Sequence, residues 1–240
     1  ADLTGANMEK AMLIEADATG AKFTDARMTG TNLSEAIFEQ AEMANAIMED
    51  VIARDAYFAE ADLSGAKLSG SDFSKADFSG ATLNGADFKN SVLAEASVEG
   101  ATCMNGDFTG ADLTKLRASE GGNFSNSTFI KANGFESIWH DAILDGADFS
   151  FSKMQGSDFT KASLKQANMA AADMKQARFM KADLNHARLV VMNLFECSME
   201  KANLTGADLS GSNMYGAEFL DAIIDKTIFE RTNLKMTKLA

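Results

Sequence analysis

Large apolar side chains recur at every fifth position of the chain, as at Leu3, Phe23, Leu63, Phe78 and Leu93. A small residue, usually alanine, stands two positions before each, as at Ala1, Ala21, Ala61 and Ala76. Reading from the start gives ADLTG, ANMEK, AMLIE, ADATG, AKFTD and ARMTG, and the pattern continues with few breaks to the end. Two side chains in every five therefore point inward. A period of five fits neither an α-helix nor a flat strand, whose side chains repeat at 3.6 and 2 residues. It fits an extended chain that turns a corner once per unit. Four such units close a square coil of about 20 residues, each side a very short strand, with coils stacked in parallel at about 4.8 Å. Glycine at the fifth position of many units (Gly5, Gly20, Gly30, Gly65, Gly70, Gly80) belongs at those corners, because it tolerates turn dihedrals that strain other residues.

The units ADLSG at 61–65, AKLSG at 66–70, ADFSG at 76–80, ADLTK at 111–115 and ANLTG at 202–206 resemble the A(D/N)LXX signature of the pentapeptide-repeat family. The resemblance covers essentially the whole chain. It implies an all-β fold, a right-handed quadrilateral parallel β-helix with the central Leu or Phe and the preceding Ala inside. Residues 1–240 then form a single solenoid of about 12 coils, roughly 55–60 Å long. Phe38, Phe58 and Phe78, followed by Trp139, Phe159, Phe179 and Phe219, fall on one wall and predict a ladder of stacked rings in the core.

Register holds from Leu3 to Leu113 and then slips by one residue, since the later large residues fall at Phe124, Phe129, Leu144 and Phe149. One extra residue enters near 119–122, beside the Gly121–Gly122 pair, where glycine lets a bulge form. Gly134 occupies a core position next to Phe135, Ile138 and Trp139, which predicts local repacking. Two stacked segments result, 1–120 and 121–240.

Charge divides at the same place. Residues 1–120 hold 21 acids and 9 bases, whereas 121–240 hold 14 and 13. Asp17, Glu39, Glu60, Asp77, Glu99 and Glu120 make an acidic band outside the Phe38 column, with Arg117 its only compensation. Direct nucleic-acid binding needs a basic stripe, and the chain has none. No apolar run approaches the roughly 20 residues of a membrane span. Cys103 and Cys197 lack CxxC or Cys/His spacing and fall at inward positions, which predicts inert core thiols and a reducing, cytoplasmic setting, with a secreted effector as the alternative.

Phe135, Phe195 and Tyr215 fall at outward positions of one wall, with Lys175 and Lys235 in the same file, and form a candidate partner-binding patch. Val190, Val191 and Phe151 are also outside the core by register. A convex rod offers no pocket for catalysis, His140 and His186 lie more than two coils apart without metal-ligand partners, and no cofactor or metal site is expected. These features point to a non-catalytic protein interaction or scaffold module, and the family resemblance implies a bacterial domain, for example of a secretion-system adaptor or effector. The family resemblance also implies an alternative, a DNA mimic that binds gyrase or topoisomerase IV and modulates quinolone action. Uncapped ends, with MTKLA closing the last unit in register, suggest a third reading in which copies stack end to end as a homodimer.

Overall fold

A computed structural model of the chain describes residues 1–238. The second residue of each unit pairs in parallel with its counterpart one coil on: Asp2 with Lys22, Asn7 with Arg27, Met12 with Asn32, and Asp17 with Ile37. These four pairings found four walls, numbered 1 to 4 in that order. Lys22 donates its N–H to the Ala1 carbonyl (2.9 Å), while Leu3 donates to Lys22 (2.8 Å) and Gly5 to Thr24 (2.8 Å). A fourth bond, from Ala6 N–H to the Leu3 carbonyl (3.0 Å), closes the corner. The expected short strands are reduced to single-residue bridges, because the corner consumes the last two residues of every unit.

The fifth residue of every unit among the described residues has positive φ, whether glycine, as at Gly70 (69°), or not, as at Glu15 (56°). The D/N of the signature has a local task here. Asp72 Oδ1 accepts both the Ser74 N–H (3.0 Å) and the Ser74 hydroxyl (2.6 Å). Asp2 with Thr4 and Asp112 with Thr114 repeat the arrangement. An Asp or Asn followed two residues later by Ser or Thr thus folds the corner by a side-chain mimic of a turn.

Bridges join residues 20 apart up to Ser97 and Arg117, then 21 apart at Thr102–Asn123, Asp107–Thr128, Asp112–Asn133 and Arg117–Ile138, and 20 apart again from Asn123–Ile143. The extra residue widens one corner, where Glu120 and Gly121 are both left-handed (φ 60° and 73°). All four walls resume their ladders above it.

The core contains the expected ring ladder on wall 4 as far as Phe179, since Met199 separates Phe219 from it, and a second ladder on wall 2 that was not expected. Phe38, Phe58 and Phe78 stack with centroids 5.2 and 4.9 Å apart. Val98 and Ala118 interrupt wall 4, and the stack passes to wall 2 as Phe88, Phe108, Phe129 and Phe149, with centroids 4.9, 4.9 and 4.5 Å apart. It then returns to wall 4 at Trp139, Phe159 and Phe179. Near-perpendicular contacts join the ladders, Phe78 to Phe88 (88°) and Phe149 to Phe159 (88°). The register slip is therefore spanned by Phe108 on Phe129.

Met154, one coil above on wall 3, fills the space that a side chain at Gly134 would need. A Cβ at Gly134 would lie 2.2 Å from Met154 Sδ and 3.0 Å from Ser137 Oγ. Trp139 Nε1 donates to Ser137 Oγ (2.8 Å), and Ser137 and Ser157 both donate to the Gly134 carbonyl (2.8 and 2.7 Å). Three other turns are opened by the serine one coil above. Val51 N–H donates to Ser71 Oγ (3.0 Å), which donates to Met48 O (2.8 Å). Gly106 with Ser127 and Met192 with Ser212 do the same.

Two expectations follow for stability. Phe108→Ala, which removes the ring that spans the slip, should destabilise the protein by about 3–5 kcal/mol in chemical denaturation. Gly134→Ala should cost about 1–3 kcal/mol by overpacking against Met154, and a melting temperature equal to that of wild type would contradict the close fit of Met154 on Gly134.

Candidate functional site

All six residues of the acidic band lie on wall 4 or the corner that follows it. Asp17, Glu39, Glu60 and Glu120 are exposed, while Asp77 and Glu99 are half-buried. Several carboxylates have local partners. Thr19 donates its N–H and hydroxyl to Asp17 (3.0 and 2.7 Å), Ser79 N–H donates to Asp77 (2.8 Å), and Gln40 donates to Glu60 (2.9 Å). Glu99 accepts the Ser119 hydroxyl (2.9 Å) and lies 3.7 Å from Arg117. The Thr19 hydroxyl and N–H hold the Asp17 carboxyl below its ordinary range.

The band is less uniform than the sequence suggested. Ile37 and the exposed Tyr57 occupy wall 4 between Asp17 and Asp77, forming a shallow apolar groove with Ala59 and Glu39. Arg117 does not stand alone, since Lys75 and Lys115 line a groove with it and Glu95. Tyr57, absent from the sequence expectations, stands at the second position of its unit, where a large residue faces outward on the wall. The signal was present in its register.

Phe195 and Tyr215 stack on adjacent coils at the corner between walls 3 and 4, centroids 5.6 Å apart and planes 5° from parallel. Lys175 Nζ lies 5.3 Å from the Phe195 ring centroid. Phe135 is exposed on the same corner, but Gln155 and Lys175 separate it from Phe195, so the three residues do not form one patch. Phe151, Val190 and Val191 lie on the other edge of wall 3, at its corner with wall 2. Between these edges runs a ladder of amides. Asn193 donates to Asp173 (2.9 Å), Asn213 to Asn193 (3.3 Å) and Asn233 to Asn213 (2.9 Å).

Both cysteines are buried in the core. Burial pushes the Cys103 thiol far up and the Cys197 thiol to about 12. His140 Nε2 lies 3.1 Å from Asp141, and His186 is exposed at a corner. Among the described residues no three His, Cys, Asp or Glu side chains come together as metal ligands, and no helix is long and apolar enough to cross a membrane.

The family described as pentapeptide repeats matches this sequence in eight copies, over residues 1–40, 37–74, 56–93, 71–114, 142–179, 157–190 and 193–231. The matches skip the stretch that contains the extra residue and Gly134. Among curated proteins, none matches the chain. Solved structures similar to it include HetL, a pentapeptide repeat protein involved in heterocyst differentiation regulation from the cyanobacterium Nostoc sp. strain PCC 7120. HetL is 24% identical, with 92% of this chain and 86% of that one covered and a TM-score of 0.38. Trypsin-treated QnrB1, a plasmid-mediated fluoroquinolone resistance protein, is 12% identical over 85% of this chain and 89% of that one, TM-score 0.42. A pentapeptide repeat protein of the Arabidopsis thaliana thylakoid lumen is 27% identical over 48% and 63%, TM-score 0.23. With TM-scores this low, family assignment rests on the sequence repeats.

The buried thiols should resist thiol-specific reagents in the folded protein and react on unfolding in denaturant. Rapid labelling of either one under native conditions would show the coil open there. Acid should also act through the turn carboxylates. Burial raises the pKa values of Asp72 and Asp107, but hydrogen bonds from Ser74 and Arg54 to the first, and from Thr109 and Lys89 to the second, hold both below the ordinary value. Their contribution is complete above the unfolded carboxylate pKa of about 4 and is lost as pH falls through the lower folded values. Ser74→Ala should accordingly shrink the loss of melting temperature between neutral and acid pH.

Proposed function

Because the chain belongs to the family of pentapeptide repeats, whose fold is a right-handed quadrilateral β-helix, we propose that it is a non-catalytic protein–protein interaction module. Its contact surface is the upper part of wall 3 with the Phe195–Tyr215 edge. The observation that carries this reading is the stacked, solvent-facing ring pair, held by two coils that are hydrogen-bonded to each other. Rings fixed in this way lose little conformational freedom on binding, and aromatic anchors beside a polar surface are where interface energy concentrates. The Lys175 ammonium over Phe195 adds a cation–π contact that holds the ring's position. In this reading the solenoid, about 12 coils at the parallel-strand spacing, is a rigid arm of a larger assembly such as a bacterial secretion-system adaptor or effector.

A second reading, mimicry of DNA toward a type II topoisomerase, is supported by the acid excess of residues 1–120. Ile37, Tyr57 and the Lys75–Lys115–Arg117 cluster interrupt the acidic surface and weigh against it.

The two readings separate by mutation. Partners retained by immobilised wild-type protein should be lost with Phe195→Ala/Tyr215→Ala, each substitution weakening binding by about 2 kcal/mol, and kept with Glu39→Gln/Glu60→Gln. The reverse dependence, together with inhibition of gyrase supercoiling by the purified protein, would favour mimicry instead.

A further inference from the structure

Every corner of the coil forces its fifth residue into the left-handed region, and most corners place glycine or a polar residue there. Among the described residues, apart from Met236, the apolar non-glycine residues with positive φ are Phe151 (59°), Ala171 (57°) and Val191 (57°). These three occupy consecutive coils of one corner, between walls 2 and 3. A β-branched residue in this region is an outlier, and glycine or asparagine would sit there with less strain. Phe151 and Val191 are also 60% and 66% exposed, so neither recovers the strain by packing in the core. Strain held on an exposed apolar surface is a mark of function.

The shape of this corner is as specific as its composition. Phe151 and Val191 stand two coils apart with Ala171 between them, and Ala170 and Val190 continue the floor. Together with Arg188 and its neighbours they line a groove of about 320 Å³. Hydrogen bonds from Phe151 N–H to Ala170 O (3.0 Å) and from Ala171 N–H to Val190 O (3.0 Å) fix the spacing of the walls. Arg188, exposed at the groove's edge, donates one Nη1 bond to Asn168 (3.1 Å). No described carboxylate lies within ion-pair distance of it, so the rest of its guanidinium fork is free. Asp148 is occupied by both contacts from Asn168 Nδ2 and by Ser150 N–H.

We propose that this notch is a binding site for an extended peptide segment of a partner protein that inserts one large apolar side chain between Phe151 and Val191. The same segment places a neighbouring carboxylate on Arg188. The apolar walls select the first group, and the guanidinium, suited to bidentate carboxylate pairing, selects the second. The proposal rests on the reading of the chain as an interaction module but uses the other edge of wall 3 from Phe195 and Tyr215.

The test is a displayed library of random linear peptides selected on the wild-type protein, with bound peptides then measured against variants. Peptides in which a large apolar residue lies close to Asp or Glu should be enriched. Their affinity should fall about tenfold or more with Val191→Gly and with Arg188→Gln, and should be unchanged with Phe195→Ala. Val191→Gly relieves the backbone, so its melting temperature should rise while binding is lost, which separates a recognition role from a structural one. Three results would overturn the site: peptides that bind Val191→Gly as well as wild type, a fall in that variant's melting temperature, or wild-type self-association that the substitution abolishes. Loss of peptide binding with Phe195→Ala alone would leave the interaction module standing and move its site to the other corner.

Discussion

Each unit of the coil exchanges its backbone hydrogen bonds with the units one coil below and one coil above, because a side with a single pairing residue cannot satisfy them within itself. Leu3, Gly5 and Lys22 show the scheme, with three inter-coil bonds for one bond made inside the corner. Buried backbone groups must be paired, so each coil must keep the length of its neighbours or find a corner where surplus chain can leave the ladder. Glu120 and Gly121 form that corner. Everything else, from the ring stacks to the surface ladders, inherits its spacing from this pairing.

The same constraint explains the core. Side chains at corresponding positions of successive coils are held at strand spacing, which is close to the separation at which aromatic rings stack. Rings cannot fill all four walls of one coil, so Phe on wall 2 accompanies Val98 and Ala118 on wall 4. Likewise Trp139 accompanies Gly134 on wall 3. Because a ring on wall 2 contacts one on wall 4 edge to face, the aromatic column continues across each change of wall, and the stack of Phe108 on Phe129 carries it across the inserted residue.

Outside the core, the walls divide into positions that serve the fold and positions that do not. Asp17, Asp72, Asp77 and Asp112 fold their own corners, so much of the acidity of residues 1–120 belongs to turn chemistry. Phe195 with Tyr215, the exposed Tyr57, and the strained Phe151 and Val191 make no comparable contribution to the coil. They occupy sites that the repeat leaves open to any polar residue, and they are the places where this solenoid departs from its own rule.

The period of five, the inward positions, the corner glycines, the slip near 119–122 and the burial of Cys103 and Cys197 were all legible in the sequence. Each depends only on where a residue stands in its unit, and the bridges honour that register throughout. What depends on neighbours across coils was not legible in the same way. The second ring ladder needed walls 2 and 4 to be seen face to face. The serines that enter the turns of Val51, Gly106 and Met192 act from one coil above, more than one full repeat of the pattern away. Of the candidate patch, Phe195 and Tyr215 stood one coil apart and could be paired by counting, whereas Phe135 lay in the same file yet three coils below. Which outward residues share a corner, which carboxylates are already engaged, and where an apolar side chain bears backbone strain were decided by the tertiary structure, because stacking brings together residues that sequence holds 20 apart.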